Sequence, residues 1–431
     1  MTIPEAGAAS GSQAAERLAK GPRCQGKKAT IVGKPRGKVR GTRGADVVVT
    51  NGASYIETFG GNDLVCVDRV ASKNSTAVHI KTGVGNDRVV VTTKQKRAVW
   101  ATLGQGADSF VGGSGPDQVV TGVNGMGAFA PGPDNERDVV DTRGGNDDVY
   151  TAGVTGSRDV VRLGDGDDQV YFRAPRTLPG ALLDGGPGRD EINSGDSYSF
   201  EPNEGALYFD NTTGSGTRNG QPWLNTNRLE VFRIGVTDSM TFRGNDSAEV
   251  LYLTGSYALD ADMGGGSDSV SGVPSDRPRV IVGGEGDDSI GLSGLDGLVV
   301  DVAAGTAVSS KMGQPDKSFT FTGFTQIAAT ATNNVSVTGS DGDDVISALA
   351  CSVVLSGGEG ADRLTVNFLE DFNNVYPCDV ADGDVRGDDG DDVLTGSTGN
   401  DTLIGGDGID RAAGGPGTDT CDAETKVACE S

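Results

Sequence analysis

Fifteen aspartates of this chain share one local frame, G-G-x-G-x-D-x-U-x, in which U is apolar and the aspartate falls two residues after the last glycine. Four copies run without a gap from Gly387: G-D-D-G-D-D-V-L-T, G-S-T-G-N-D-T-L-I, G-G-D-G-I-D-R-A-A and G-G-P-G-T-D-T-C-D. They carry Asp392, Asp401, Asp410 and Asp419. Two more follow directly from Leu103 and carry Asp108 and Asp117. Single copies surround Asp63, Asp87, Asp147, Asp168, Asp190, Asp268, Asp288, Asp344 and Asp362. Glycine at alternate turn positions permits positive φ and lets peptide carbonyls approach a central point. A carboxylate turned toward that point completes an all-oxygen donor set. Calcium suits such a set, because it takes 6–8 oxygens in flexible geometry, whereas magnesium prefers a strict octahedron and keeps its water. Zinc and copper would miss their nitrogen and sulfur ligands. A lone G-x-G-x-D reads as a turn whose aspartate bonds its own backbone. Fifteen in one frame point to metal.

The elements that position these carboxylates are short. The x-U-x after each aspartate is a three-residue strand with one inward apolar side chain. Stacked strands lie about 4.8 Å apart, so carboxylates of successive corners meet at that spacing. Two unit charges there repel by about 0.9 kcal/mol in water and about 3.5 kcal/mol at an effective dielectric near 20. Repeated down a column, that repulsion is large against a total stability of roughly 5–15 kcal/mol. Cations between the rungs reverse its sign, so binding and folding are expected to be one event.

The frame resembles the calcium-binding nonapeptide of the haemolysin-type, or repeats-in-toxin (RTX), family, strongly from Gly387 to Asp422 and well in the single copies. The resemblance implies an all-β fold: a right-handed parallel β-roll or β-helix solenoid with Gly-Asp turn corners, binding several Ca2+ ions. In that fold two blocks, eighteen residues, make one coil. Asp392 and Asp410 are eighteen apart, as are Asp401 and Asp419, which puts each pair on one side.

Elsewhere the coils are longer. Asp63, Asp87 and Asp108 are 24 and 21 residues apart, and Asp147, Asp168 and Asp190 are 21 and 22 apart. A second strand recurs between corners: A-V-H-I before Lys81, A-V-W-A before Thr102, D-V-V-D before Thr142 and D-V-V-R before Leu163. Each coil therefore reads as strand, Gly-Asp corner, strand, looser corner. The 39 residues from Asp108 to Asp147 fit two coils, with G-V-N-G from Gly122 as a corner lacking its aspartate and its metal. The expected organisation is a basic arm and cap over 1–44, a solenoid over 45–195, and wider coils or an insertion without the turn motif over 196–260. A solenoid over 261–386 with a strand-rich spacer at 297–335 follows, then the tandem β-roll and C-terminal cap over 387–431. Helix signals are confined to residues 12–20.

Composition agrees with a repeat architecture. Glycine supplies 69 of 431 residues and aromatics only 5%, too little bulk for a conventional core of this length. The net charge of -25 repels nucleic acid and anionic membranes and attracts cations. Ten basic residues between Arg17 and Arg43 have no acid among them; the run reads as a solvated arm, or as a grip on a cell-surface polymer or glycan. Six cysteines allow fifteen connectivities, of which proximity favours Cys421–Cys429 and Cys351–Cys378, leaving Cys24–Cys66. Disulfides imply an oxidising, secreted or cell-surface setting. The first thirty residues hold no apolar signal-peptide core, and no stretch reaches membrane-spanning length.

Three functions fit such a chain. A calcium-binding repeat protein without catalysis is the leading one. A cell-surface adhesin on the same scaffold would add a binding module or anchoring tail. A polysaccharide lyase or epimerase would need clustered acids with Arg, Lys, Tyr or His on one sheet face. The single histidine, His79, sits in an alternating strand, and no nucleophile-elbow motif precedes it. The aromatics from Phe200 to Phe242 read as packing rather than as a sugar groove.

Overall fold

The computed structural model describes residues 21–69, 77–92, 98–123, 134–151, 153, 155–172, 174–195, 204–236, 238–255, 258–273, 280–367, 378 and 380–430. The helix signal at 12–20, Phe200, and residues 124–125 of G-V-N-G fall outside them. The described residues form strands and turns with no helix, and the strands build long parallel sheets: the fold is an all-β parallel solenoid. Contacts divide the chain into two compact units, Met1–Glu191 with Asn225–Leu229, and Ile192–Leu224 with Glu230–Ser431.

In the first unit, successive strands alternate between two parallel sheets. One sheet stacks Val47–Val49, Leu64–Val67, Arg88–Val91, Ser109–Val111, Val139–Asp141, Val160–Arg162 and Leu182–Asp184. Their central residues sit in register, coil upon coil: Val48, Val65, Val89, Phe110, Val140, Val161 and Leu183, all essentially fully buried. The other sheet aligns Val39, Ile56, Ile80, Ala101, Val119, Val149 and Val170 in the same manner. Each coil thus buries one small apolar residue per strand, worth about 1.5–3 kcal/mol for a valine or larger side chain. Of the basic stretch, residues 31–40 join this stack, while Arg23–Cys24 and Lys27–Lys28 form a separate antiparallel pair. Ile31–Val32 and Lys38–Arg40 pair with Val47–Val49 and Tyr55–Glu57, while Lys27, Lys28, Lys38 and Arg40 point to solvent.

The second unit repeats the arrangement. One column runs Phe232, Leu251, Val270, Ile290, Ile327, Ile346, Leu364, Leu394 and Ala412. Residues between 204 and 260 add a hairpin, Ala206–Asp210 with Ser215–Arg218, beside the parallel strand Ser239–Arg243. Phe209, Phe232 and Phe242 are buried with ring centroids 5.1–5.9 Å apart, and Trp223 is fully buried, so these aromatics are packing. Between 297 and 335, Thr306–Ser310 runs antiparallel between Gly297–Asp301 and Lys317–Thr322.

The cysteines pair as proximity favours: Cys24–Cys66, Cys351–Cys378 and Cys421–Cys429. Cys24 and Cys66 join Val49 and Leu64 in a small core at the first coils. Among the described residues no helix is long and apolar enough to cross a membrane.

Candidate metal centres

Each of the fifteen aspartates heads a strand at a corner, and each is 3% exposed or less. Such burial of a carboxylate is costly unless its oxygens find partners. One oxygen does. The backbone N–H of one corner aspartate donates to Oδ1 of the aspartate one coil on, so the carboxylates form columns tied by peptide groups. In the first unit one column runs Asp46, Asp63, Asp87, Asp108, Asp138 and Asp159, with N···O distances of 2.6–3.2 Å. A second runs Asp117, Asp147, Asp168 and Asp190 at 2.6–3.0 Å. In the second unit Glu249, Asp268 and Asp288 form one run. Asp344, Asp362, Asp392 and Asp410 form another, finishing on the carboxylate of Glu424. Asp401 and Asp419 occupy the opposite corner and finish on Glu430. The tandem block is therefore split into its two eighteen-residue pairs, as the spacing predicts.

The columns correct one expectation. Asp108 and Asp147 are not successive rungs across an acid-free corner at Gly122. The rung after Asp108 is Asp138, the rung after Asp117 is Asp147, and each step is 30 residues. Every coil has two corners, and either can carry an acid. The linear distance between frames does not reveal which side each one takes. Asp138, Asp159 and Glu249 were missed because they lack the glycine frame, whereas Asp46 carries it in a sixteenth copy, G-T-R-G-A-D-V-V-V from Gly41. The signal of Asp138 and Asp159 was the acid followed by an apolar strand, D-V-V-D and D-V-V-R, 21 apart.

The second carboxylate oxygen distinguishes two kinds of corner. At Asp63, Asp87, Asp108, Asp147, Asp168, Asp190, Asp268, Asp288, Asp362, Asp392, Asp410 and Asp419, Oδ2 is buried and has no hydrogen-bond partner. In every one of these open corners the residue four before the acid has positive φ. It is usually glycine, but Phe59, Arg143 and Asp388 take φ of 71°, 70° and 74°. That conformation aims the residue's N–H elsewhere; Gly164 N–H, for example, joins the ladder to Gly185 O at 2.8 Å. In the closed corners the same position has ordinary φ, and its N–H donates to the acid. Thr42 bonds Asp46 at 2.7 Å, Gly113 bonds Asp117 at 3.2 Å, and Asn245 bonds Glu249 at 3.0 Å. Ser340 bonds Asp344 and Ser397 bonds Asp401, both at 2.6 Å. Asp117 and Asp401 accordingly have both oxygens bonded. Asp344 keeps Oδ1 unpartnered.

The open corners fit calcium. A Cβ placed on Gly387 would lie 2.1 Å from Asp392 Oδ2 and 2.6 Å from the Gly405 carbonyl oxygen, so carboxylate and peptide oxygens of neighbouring coils converge on one point. Gly357 stands in the same relation to Asp362 Oδ2 and Gly387 O, at 2.1 and 2.6 Å. These are oxygen donors only, as calcium prefers. Without a cation, burial pushes the carboxyls up: Asp87, Asp147, Asp268 and Asp362 to about 6, Asp168 to about 7, and Asp108 and Asp117 to about 8, with nearby carboxylates adding to the rise. Backbone N–H bonds along the columns oppose the rise without cancelling it.

His79 is exposed and meets Trp100 edge-on at 4.8 Å within a surface row of strand residues. The RTX calcium-binding nonapeptide repeat model matches the chain in four copies, over residues 101–122, 336–368 and 386–421. Those stretches hold Asp108, Asp117, Asp344, Asp362, Asp392, Asp401, Asp410 and Asp419. No curated protein matches the chain.

Proposed function

We propose that this RTX-type calcium-binding repeat protein is secreted and that its folding is coupled to Ca2+ held between stacked Gly-Asp corners, without catalysis of its own. The carrying observation is the set of buried, unpartnered carboxylate oxygens at the open corners. A buried anion with a free lone pair is tolerable when a cation shares it and strongly unfavourable otherwise. Calcium supplies a charge that neutralises successive rungs, while the N–H ladder keeps each carboxylate aimed. The ligands are the fifteen framed aspartates, with the open corners dominating. Asp117 and Asp401 act mainly as hydrogen-bonded rungs. The three disulfides support an extracellular setting.

The test is a calorimetric calcium titration of chelator-treated protein, with metal content counted before and after. Several ions per chain are expected, together with a rise in melting temperature that follows free calcium by mass action. A chain that takes up no calcium and melts identically in chelator and in millimolar calcium would refute the reading.

A further inference from the structure

The corner of Asp138 does not belong to either class above. Its sequence, P-D-N-E-R-D from Pro133, has no glycine, and the position that is threonine at Asp46 or serine at Asp344 and Asp401 is Asp134. Asp134 behaves locally like those residues: its Oδ1 accepts the N–H of Glu136 at 3.2 Å, as Thr42 Oγ1 accepts that of Gly44 at 3.1 Å. The chemistry differs. The Thr42 hydroxyl donates a proton to Asp46 Oδ2 at 3.1 Å, whereas an ionised carboxylate has none to give. Asp134 is 3% exposed, and its Oδ2 has no partner. One carboxylate oxygen from each of Asp108, Asp134 and Asp138 lies within 4.8 Å of the other two, all three residues are buried, and Asp108 Oδ2 is also unpartnered. Among the described residues no Lys or Arg forms an ion pair with any of them.

We propose that Asp108, Asp134 and Asp138 form a three-carboxylate calcium site outside the glycine frame, in which Asp134 replaces the self-capping hydroxyl of a closed corner with a third anionic ligand. Oxygens that close can all reach one ion at the 2.3–2.6 Å typical of calcium. Three carboxyl groups meet at this corner, and among the described residues none forms an ion pair with a Lys or Arg. The inference rests on the calcium-binding reading of the other corners but does not follow from it, because Asp134 is foreign to the repeat.

Two measurements on the full-length chain decide it. Asp134→Thr restores the hydrogen bond seen at Thr42, so the variant is expected to fold and to hold one calcium ion fewer than the native chain by calorimetry and elemental analysis. An unchanged ion count in folded Asp134→Thr overturns the site. Anomalous diffraction from crystals of the native chain soaked in terbium needs no variant. A peak among the three carboxylates is expected, and peaks at Asp392 and Asp410 with none here overturn the proposal. A native chain that binds no ion at any corner instead overturns the calcium reading as a whole.

Discussion

At the scale of single residues, the corner is governed by the backbone four positions before the acid. Positive φ there leaves an oxygen open to a cation, and ordinary φ closes it with a peptide N–H. The first position of the frame is Thr58, Thr82, Leu103, Thr142, Leu163 or Met263 at six open corners and glycine at the other six, where the reason for glycine is space. At Gly405 an added Cβ would fall 2.1 Å from Asp410 Oδ2, well inside contact distance. Gly405→Ala is therefore expected to displace that carboxylate, remove the ion at its corner and lower stability by about 1–3 kcal/mol, the usual cost of overpacking. Chemical denaturation in calcium, paired with an ion count, checks this; an unaltered count would show that the oxygen is not a ligand.

At the scale of the coil, the repeat is a strand that buries one side chain and a corner that holds one charge. The tandem block has short coils, eighteen residues with an acid at both corners, and its inward residues include the small Ala412. Its four framed aspartates are the most closely spaced set in the chain, so its metal-free form carries the most carboxylate repulsion per coil. Chelation is expected to loosen residues 387–422 before the coils built on Val89, Phe110 and Val140. Hydrogen exchange with and without chelator measures this, and uniform protection loss along the chain would contradict it. The hydrogen bonds of Asp410 and Asp419 to Glu424, within the Cys421–Cys429 loop, and to Glu430, just after it, close both columns.

At the scale of the whole molecule, a net charge of -25 includes a buried share that responds to pH in a definite direction. Corner carboxyls such as Asp87, Asp168 and Asp108 are raised from 3.8 to about 6, 7 and 8 in the folded chain. The folded state thus binds protons more tightly than the unfolded one. The stability they supply when protonated is complete below pH 3.8 and is lost as pH rises through 6 to 8. In chelator the melting temperature is expected to fall between pH 4 and pH 8. In calcium the decline should disappear, because the metal binds the deprotonated form and displaces the protons. Melting curves in both conditions test this, and a chelator-treated protein that gains stability toward pH 8 would contradict it. The amino-acid order alone determined the repeat and the all-β coil and favoured the cysteine pairing that the structure has, because each is a local pattern or a matter of proximity. Only the stacking decided which corners share a column, that Asp138, Asp159 and Glu249 are rungs, and that Asp134 meets Asp108 and Asp138. Those relations depend on coil lengths of 17 to 30 residues, and a carboxylate's partner is whatever the next coil brings beside it.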